Sequence, residues 1–319
     1  GQDEWKQWFG NWSKVQSTQV AQNFFKFLKK NKAFSKKSHF LLSDLVREPL
    51  MLYLLAILHR EELLDDEILQ SATNPQITNT AVVLWKIYER INQWLLGYPV
   101  RSISQKILSS SVPTHIHRTP EAVNLLTKNR HPQELIEKIQ TIALQILHSG
   151  KKSINLNTID LNTINFKADC NQLPAFYFSK EKYRKREKEY INSTMSNAQF
   201  PIPKTKFSHS KFNEYLCAAS IINQLKVLTK SSRNTYGEMI FAVDSQSCVA
   251  EHIYNLLGYG ILSREIEELV MEGLRQQQKH KFCFELLCSR LQDFWYAYCG
   301  GRWLDEGIAH KAWSYFKQL

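Results

Sequence analysis

One histidine stands where a strand-like run turns into a helix-like one. Ile202-Pro203-Lys204-Thr205-Lys206-Phe207 alternates apolar and polar residues behind a proline, the pattern of a half-buried strand entered from a turn. Downstream, Phe212, Tyr215, Ala219 and Ile222 recur at i, i+3, i+7 and i+10, and Leu216 widens that stripe. The spacing predicts one amphipathic helix running to about Leu228. Ser208 or Ser210 can cap its first turn by accepting from the backbone N–H groups there. His209 therefore lies beside a helix N-terminus, a place that favours an anion. The bland alternative is a histidine that does no more than fill a junction.

Other residues of suitable type lack the spacing that chemistry needs. Gly150-Lys151-Lys152-Ser153 invites comparison with a phosphate loop, but the glycine required five residues before the Gly-Lys pair is Gln145. His115 and His117 could share a strand face toward a metal, with no third ligand nearby. Cys283 and Cys288 are five apart, a poor spacing for joint ligation, and no Cys-x-x-Cys pair occurs. The six cysteines do not make a disulfide framework in a chain of 319 residues, and free thiols in a reducing compartment account for them. No Ser-His-Asp, Cys-His or metal constellation has supporting partners.

A second stretch is organised around a proline. In Ser43-Asp44-Leu45-Val46-Arg47-Glu48-Pro49, the proline can open a helix at no cost, because the N–H it lacks would be unpaired in the first turn. Leu50, Tyr53, Leu54, Ile57 and Leu58 then fall at i, i+3, i+4, i+7 and i+8, which predicts a firmly buried helix starting at Pro49.

These two stretches carry a family resemblance. Phe-x-His-x-x-Phe-x-Glu-Tyr-Leu-x-Ala-Ala, at Phe207 to Ala219, resembles the winged-helix signature of NACHT-type nucleoside triphosphatases, within the STAND group of signalling ATPases. Asn213 stands where that family often has glutamine, and Cys217 where it usually has alanine. The Pro-Leu-x-Leu-x-Leu-Leu-Ala run at Pro49 to Ala56 is similar to the helical lid of the same ATPases, 160 residues before His209. The resemblance implies that His209 reaches the β-phosphate of bound ADP and that Pro49 lies against the adenine. It also implies that ADP or ATP, with Mg in the parent protein, is held mostly by a P-loop core upstream of this sequence.

Along the rest of the chain, Trp5, Trp8 and Trp12, then Val20, Phe24, Phe27 and Leu28, predict two helices over residues 2 to 30. Lysines 26, 29, 30, 32, 36 and 37 follow as either a solvated basic rim or a phosphate contact. Residues 61 to 75 read as an acidic, polar connection ending in a turn at Asn74-Pro75. Thr78 or Asn79 can cap a helix with Ala81, Leu84, Trp85, Tyr88, Ile91 and Leu95 inward, and Leu135, Ile139, Ile142 and Ile146 mark another that ends at Gly150. Leu173 to Ser179 and Ile202 to Phe207 read as paired strands around a long loop. That loop holds six basic and three acidic side chains between Lys180 and Glu189, among them Lys182, Arg184, Lys185 and Arg186, which are candidates for phosphate-backbone contact. From Tyr236 onward the pattern is helical.

The formal charge of +11 arises from the first 250 residues, which carry a net +12, and suits an anionic ligand, nucleic acid, an acidic membrane surface or plain solvation of helix faces. The longest apolar run, Leu50 to Leu58, is too short to cross a membrane, and the start lacks the basic and apolar regions of a signal peptide. A cytoplasmic location is the expectation, with Gly1 and Leu319 read as cuts inside a longer protein. The expected fold is mainly α, with helical bundle subdomains around a winged helix that carries a β-hairpin wing. Its expected divisions are a helical lid at 1–75, a winged-helix domain at 76–230 and a C-terminal helical domain at 231–319.

Taken with the resemblance, these features suggest the nucleotide-sensing part of a signalling ATPase, closed by ADP and released to self-associate, with the upstream core as its partner. Without a P-loop lysine and hydroxyl, the chain alone is not expected to hydrolyse ATP. The competing readings are a nucleic-acid-binding winged helix using the basic wing, and a purely structural helical scaffold.

Overall fold

The computed structural model describes residues 2–34, 41–64, 66–77, 79–95, 132–150, 178–180, 205–207, 209–243, 246–257, 262–278 and 286. Helices dominate these residues, and the chain divides into two compact units, Gly1–Thr127 and Lys128–Leu319.

In the first unit, α1 (Gln2–Val15) and α2 (Thr18–Lys30) form a helical hairpin across Gln16 and Ser17. The Ser17 hydroxyl accepts from the Val20 N–H at 3.2 Å, the cap that lets α2 start so soon after α1 ends. Phe24 and Leu28, at i and i+4, are fully buried. Their core is aromatic: Trp8 stacks on Trp12 at 5.5 Å, and Phe24 meets Trp8, Phe9 and Phe27. After α3 (Leu41–Leu45), the chain enters α4 (Pro49–Arg60), with Pro49 in the first turn and Glu48 extended before it. An extended residue before proline is what the ring's clash with the preceding backbone dictates.

Helix α4 is buried on more than one face. Met51, Leu52 and the continuous run Leu54 to Leu58 are all covered, while Tyr53, expected inside, is 39% exposed, and Leu50 is half-buried. The expected stripe picked out one face of a helix that is apolar nearly all round, and such a helix is enclosed by its neighbours. At its end the Arg60 guanidinium donates to Glu61 Oε1 and to Gln16 Oε1, both at 2.7 Å, tying α4 to the α1–α2 link.

Residues expected as a polar connection instead contain α5 (Asp66–Thr73), which buries Ile68 and Ala72 at i and i+4. It packs with α6 (Thr80–Leu95), where Lys86 donates to the Ser71 hydroxyl at 2.9 Å and pairs with Glu67 at 3.1 Å. Asn79 is the cap of α6, its side chain accepting from the Ala81 N–H at 2.8 Å. Leu84, expected inward, is only half-buried, whereas Val83 and Ile87 are fully buried.

The second unit is built on one central helix. β1 (Phe178–Lys180) pairs antiparallel with β2 (Thr205–Phe207), in the register Phe178 to Phe207. These are the described parts of the two expected strands. Two residues separate β2 from α8 (Ser210–Val227), which is preceded in the chain by α7 (Pro132–His148). Every residue from Tyr215 to Ile222 is buried, so α8 is not the amphipathic helix its stripe predicts. Its most extensive partners are α7 and α10 (Arg264–Gln278), and the small Cys217, Ala218, Ala219 and Ser220 allow close approach. Each large apolar side chain enclosed there contributes about 1.5–3 kcal/mol relative to exposure.

Polar contacts fix the register of this bundle. The Asn223 amide donates to Gln140 Oε1 at 2.8 Å. His148 Nε2 lies 2.8 Å from the Leu256 carbonyl oxygen on α9 (Gln246–Leu257), and His252 Nε2 lies 3.1 Å from that of Gln224. Between α8 and α9 the expected all-helical region contains a hairpin, β3 (Ser231–Arg233) with β4 (Met239–Phe241). Asn234 holds its turn by accepting from the N–H groups of Tyr236 and Glu238, both at 2.9 Å, while Gly237 takes a φ of 82° that L side chains rarely adopt.

Candidate functional site

His209 occupies the N-cap position of α8, with extended backbone angles of −133° and 123°. Its own carbonyl accepts the first helical bond, from the Asn213 N–H at 3.1 Å. The expected serine cap is therefore corrected. Ser210 is already the first helical residue, Ser208 lies outside the described residues, and the histidine side chain makes no capping bond. The junction is held from both sides: Phe207 is buried on the paired β2, and Phe212 and Tyr215, stacked at 6.0 Å, are buried beneath the first turn.

No acidic residue lies in the first turn of α8, and Lys211 does. Burial holds the His209 imidazole below the usual histidine range. At neutral pH it is thus an uncharged ring with one N–H to donate, and a nearby anion would raise its proton affinity. One turn on, the carboxyl of Glu214 is raised by burial and by Glu265, with Lys211 opposing. A phosphate fits this end of α8, where the helix dipole and Lys211 are both positive and the neutral imidazole can donate an N–H.

Pro49 is exposed at the first turn of α4, above a helix whose following residues are buried. The exposed ring presents a small apolar surface at that helix end. Pro49 belongs to the first unit and His209 to the second, so each is described within its own unit. Lys182, Arg184, Lys185 and Arg186 lie outside the described residues, as do His115, His117, Lys151 to Ser153, Lys36 and Lys37, and Cys170; so do the structural surroundings of Cys283, Cys288 and Cys299. Among the described residues no group of His, Cys, Asp and Glu could hold a metal, and no helix is long and apolar enough to cross a membrane.

Sequence reasoning missed a groove in the first unit. It has a volume of about 1000 Å³ and runs between α1 and α2, floored by aromatic rings and bordered by Lys6, Lys26, Lys29 and Arg47. The signal was present in Trp5 and Phe9, which share a helix face, and in Phe25 and Phe34 among the lysines. No family model, curated protein or solved structure matches the chain.

Proposed function

We propose that this chain is the regulatory part of a NACHT-like signalling ATPase, in which a nucleotide diphosphate holds a closed state and its exchange releases the chain for self-association. The observation that carries the reading is His209 at the strand-to-helix junction of β2 and α8. A neutral, half-buried imidazole stands there at the positive end of a helix, with Lys211 in the first turn. The pairing of β1 with β2 before α8 supports a winged-helix arrangement, and the exposed Pro49 supports the adenine contact.

On this reading His209 donates one hydrogen bond to the terminal phosphate of the diphosphate and so favours that nucleotide over its competitor. A ligand shifts a two-state equilibrium only by such a difference in affinity. The nucleotide itself supplies the anionic group that joins the parts, and the upstream core supplies most of the binding energy. The chain alone then has no hydrolytic activity. In the natural protein, calorimetric titration of ADP into wild type and His209→Ala is the test. Loss of a hydrogen bond to a charged group, worth about 1.5–3 kcal/mol, predicts a roughly tenfold or greater loss of ADP affinity. Unchanged ADP affinity would sink the proposal.

A further inference from the structure

The groove between α1 and α2 has the length, the lining and the charge of a site for another helix. On α1, Trp5, Phe9 and Ser13 follow at i, i+4 and i+8; on α2, Thr18, Ala21, Phe25 and Lys29 follow at i, i+3, i+7 and i+11. Both stripes run along their helices, so the space is a trough about three helical turns long rather than a round cavity. Trp5 and Phe34 are in contact at 4.1 Å, Phe34 and Phe25 at 5.3 Å, and Phe25 and Phe9 at 5.2 Å. None of these four rings is buried, and Phe25 is 44% exposed. Gly10 opens the middle of the floor, since a Cβ placed there would meet nothing within 4 Å.

No Asp or Glu lines the groove among the described residues, whereas four cations do. Lys6 pairs with Asp3 at 3.6 Å and Arg47 with Asp44 at 3.1 Å, both exposed and weak. Lys26 and Lys29 have no ion-pair partner among the described residues. An apolar trough edged by two weakly paired cations and by Lys26 and Lys29 is complementary to one kind of partner helix, with large apolar residues on one face and carboxylates beside them. We propose that this groove docks an acidic amphipathic helix of a partner protein. The proposal is independent of the nucleotide reading and uses no residue of that site.

The experiment titrates the 319-residue chain into a fluorescein-labelled helical peptide of about 15 residues, with Leu and Phe at i, i+3, i+4 and i+7 and Glu on its flanks. A second peptide replaces each Glu by Lys. The expected result is saturable binding of the acidic peptide alone. Gly10→Leu, which fills the trough with a good helix former, weakens it roughly tenfold with helicity retained. Lys26→Glu with Lys29→Glu has an effect of similar size and shifts preference toward the Lys peptide. If Gly10→Leu does not fold, Phe25→Lys at an already exposed position takes its place. Equal binding of both peptides, no saturable binding, or affinity untouched by Gly10→Leu overturns the proposal. So does a wild-type dimer that Gly10→Leu dissociates, which assigns the trough to a second copy, and so does binding to phosphatidylglycerol vesicles in preference to the acidic peptide.

Discussion

The Cys217 thiol donates to the Ala143 carbonyl at 3.2 Å, a buried bond that joins α8 to α7. Cys217 is also where the chain departs from the alanine usual in the family it resembles. Burial, reinforced by Glu214, pushes its thiol up to about 12. The thiolate is the reactive form, so Cys217 is inert in the folded chain. Alkylation followed by mass spectrometry is expected to modify the exposed Cys248 under native conditions and Cys217 only after unfolding. Cys217→Ala removes a weak donor and a small volume, and urea titration should show a loss of about 1 kcal/mol. Rapid native labelling of Cys217 would contradict the enclosed bundle.

Acid should loosen the first unit through His59. Its ring lies 4.8 Å from that of Phe27 and 5.3 Å from that of Phe24, and burial holds it below the usual histidine range, with Glu62 opposing. A folded pKa below the unfolded one means that the unfolded chain takes up the proton first. This contribution is full above about pH 6.5 and is lost as pH falls through the folded value. His209 shifts the same way, whereas Glu214, raised in the folded chain, contributes with the opposite sign at lower pH. Urea midpoints compared at about pH 7.5 and about pH 5.5 should fall for wild type and fall less for His59→Phe. Equal losses in the two proteins would remove His59 from the account.

The end of α4 depends on Arg60. Glu61 is 6% exposed, and its Oε1 accepts from Arg60 Nε and lies 2.7 Å from a terminal guanidinium nitrogen in an ion pair. Arg60→Ala leaves that carboxylate with less compensation and cuts the link to Gln16. A loss of about 2–3 kcal/mol is expected, below the range for fully buried pairs because Arg60 keeps some exposure. Glu61→Gln, which removes the charge and keeps the shape, should cost less. The two variants compared by chemical denaturation decide this, and a larger loss in Glu61→Gln would reverse the assignment.

Helix boundaries were legible in the sequence where one residue type has one physical use. Pro49 opens α4 because its ring suits a first turn, and Asn79 caps α6 because its side chain mimics a backbone acceptor. Burial was less legible. The stripe through Phe212, Tyr215 and Ala219 is real, yet Cys217, Ala218 and Ser220 are small enough to be covered too, and periodicity cannot say how many neighbours a helix has. The β3–β4 hairpin escaped because its three-residue strands are almost wholly exposed and show no alternation. Its turn did carry a signal, in Asn234 followed by Gly237. In α5, the five acidic residues Glu61, Glu62, Asp65, Asp66 and Glu67 before and at its start hid the pair Ile68 and Ala72. The groove was least legible of all, since it depends on what two helices leave uncovered.

The central claim concerns one side chain and one nucleotide. The most direct measurement is to release whatever nucleotide co-purifies with the natural protein and identify it by chromatography, for wild type and His209→Ala. The account predicts ADP in wild type, and its loss or replacement by ATP in the variant. A natural protein that holds no nucleotide, or one whose ADP content is unchanged by His209→Ala, would contradict it.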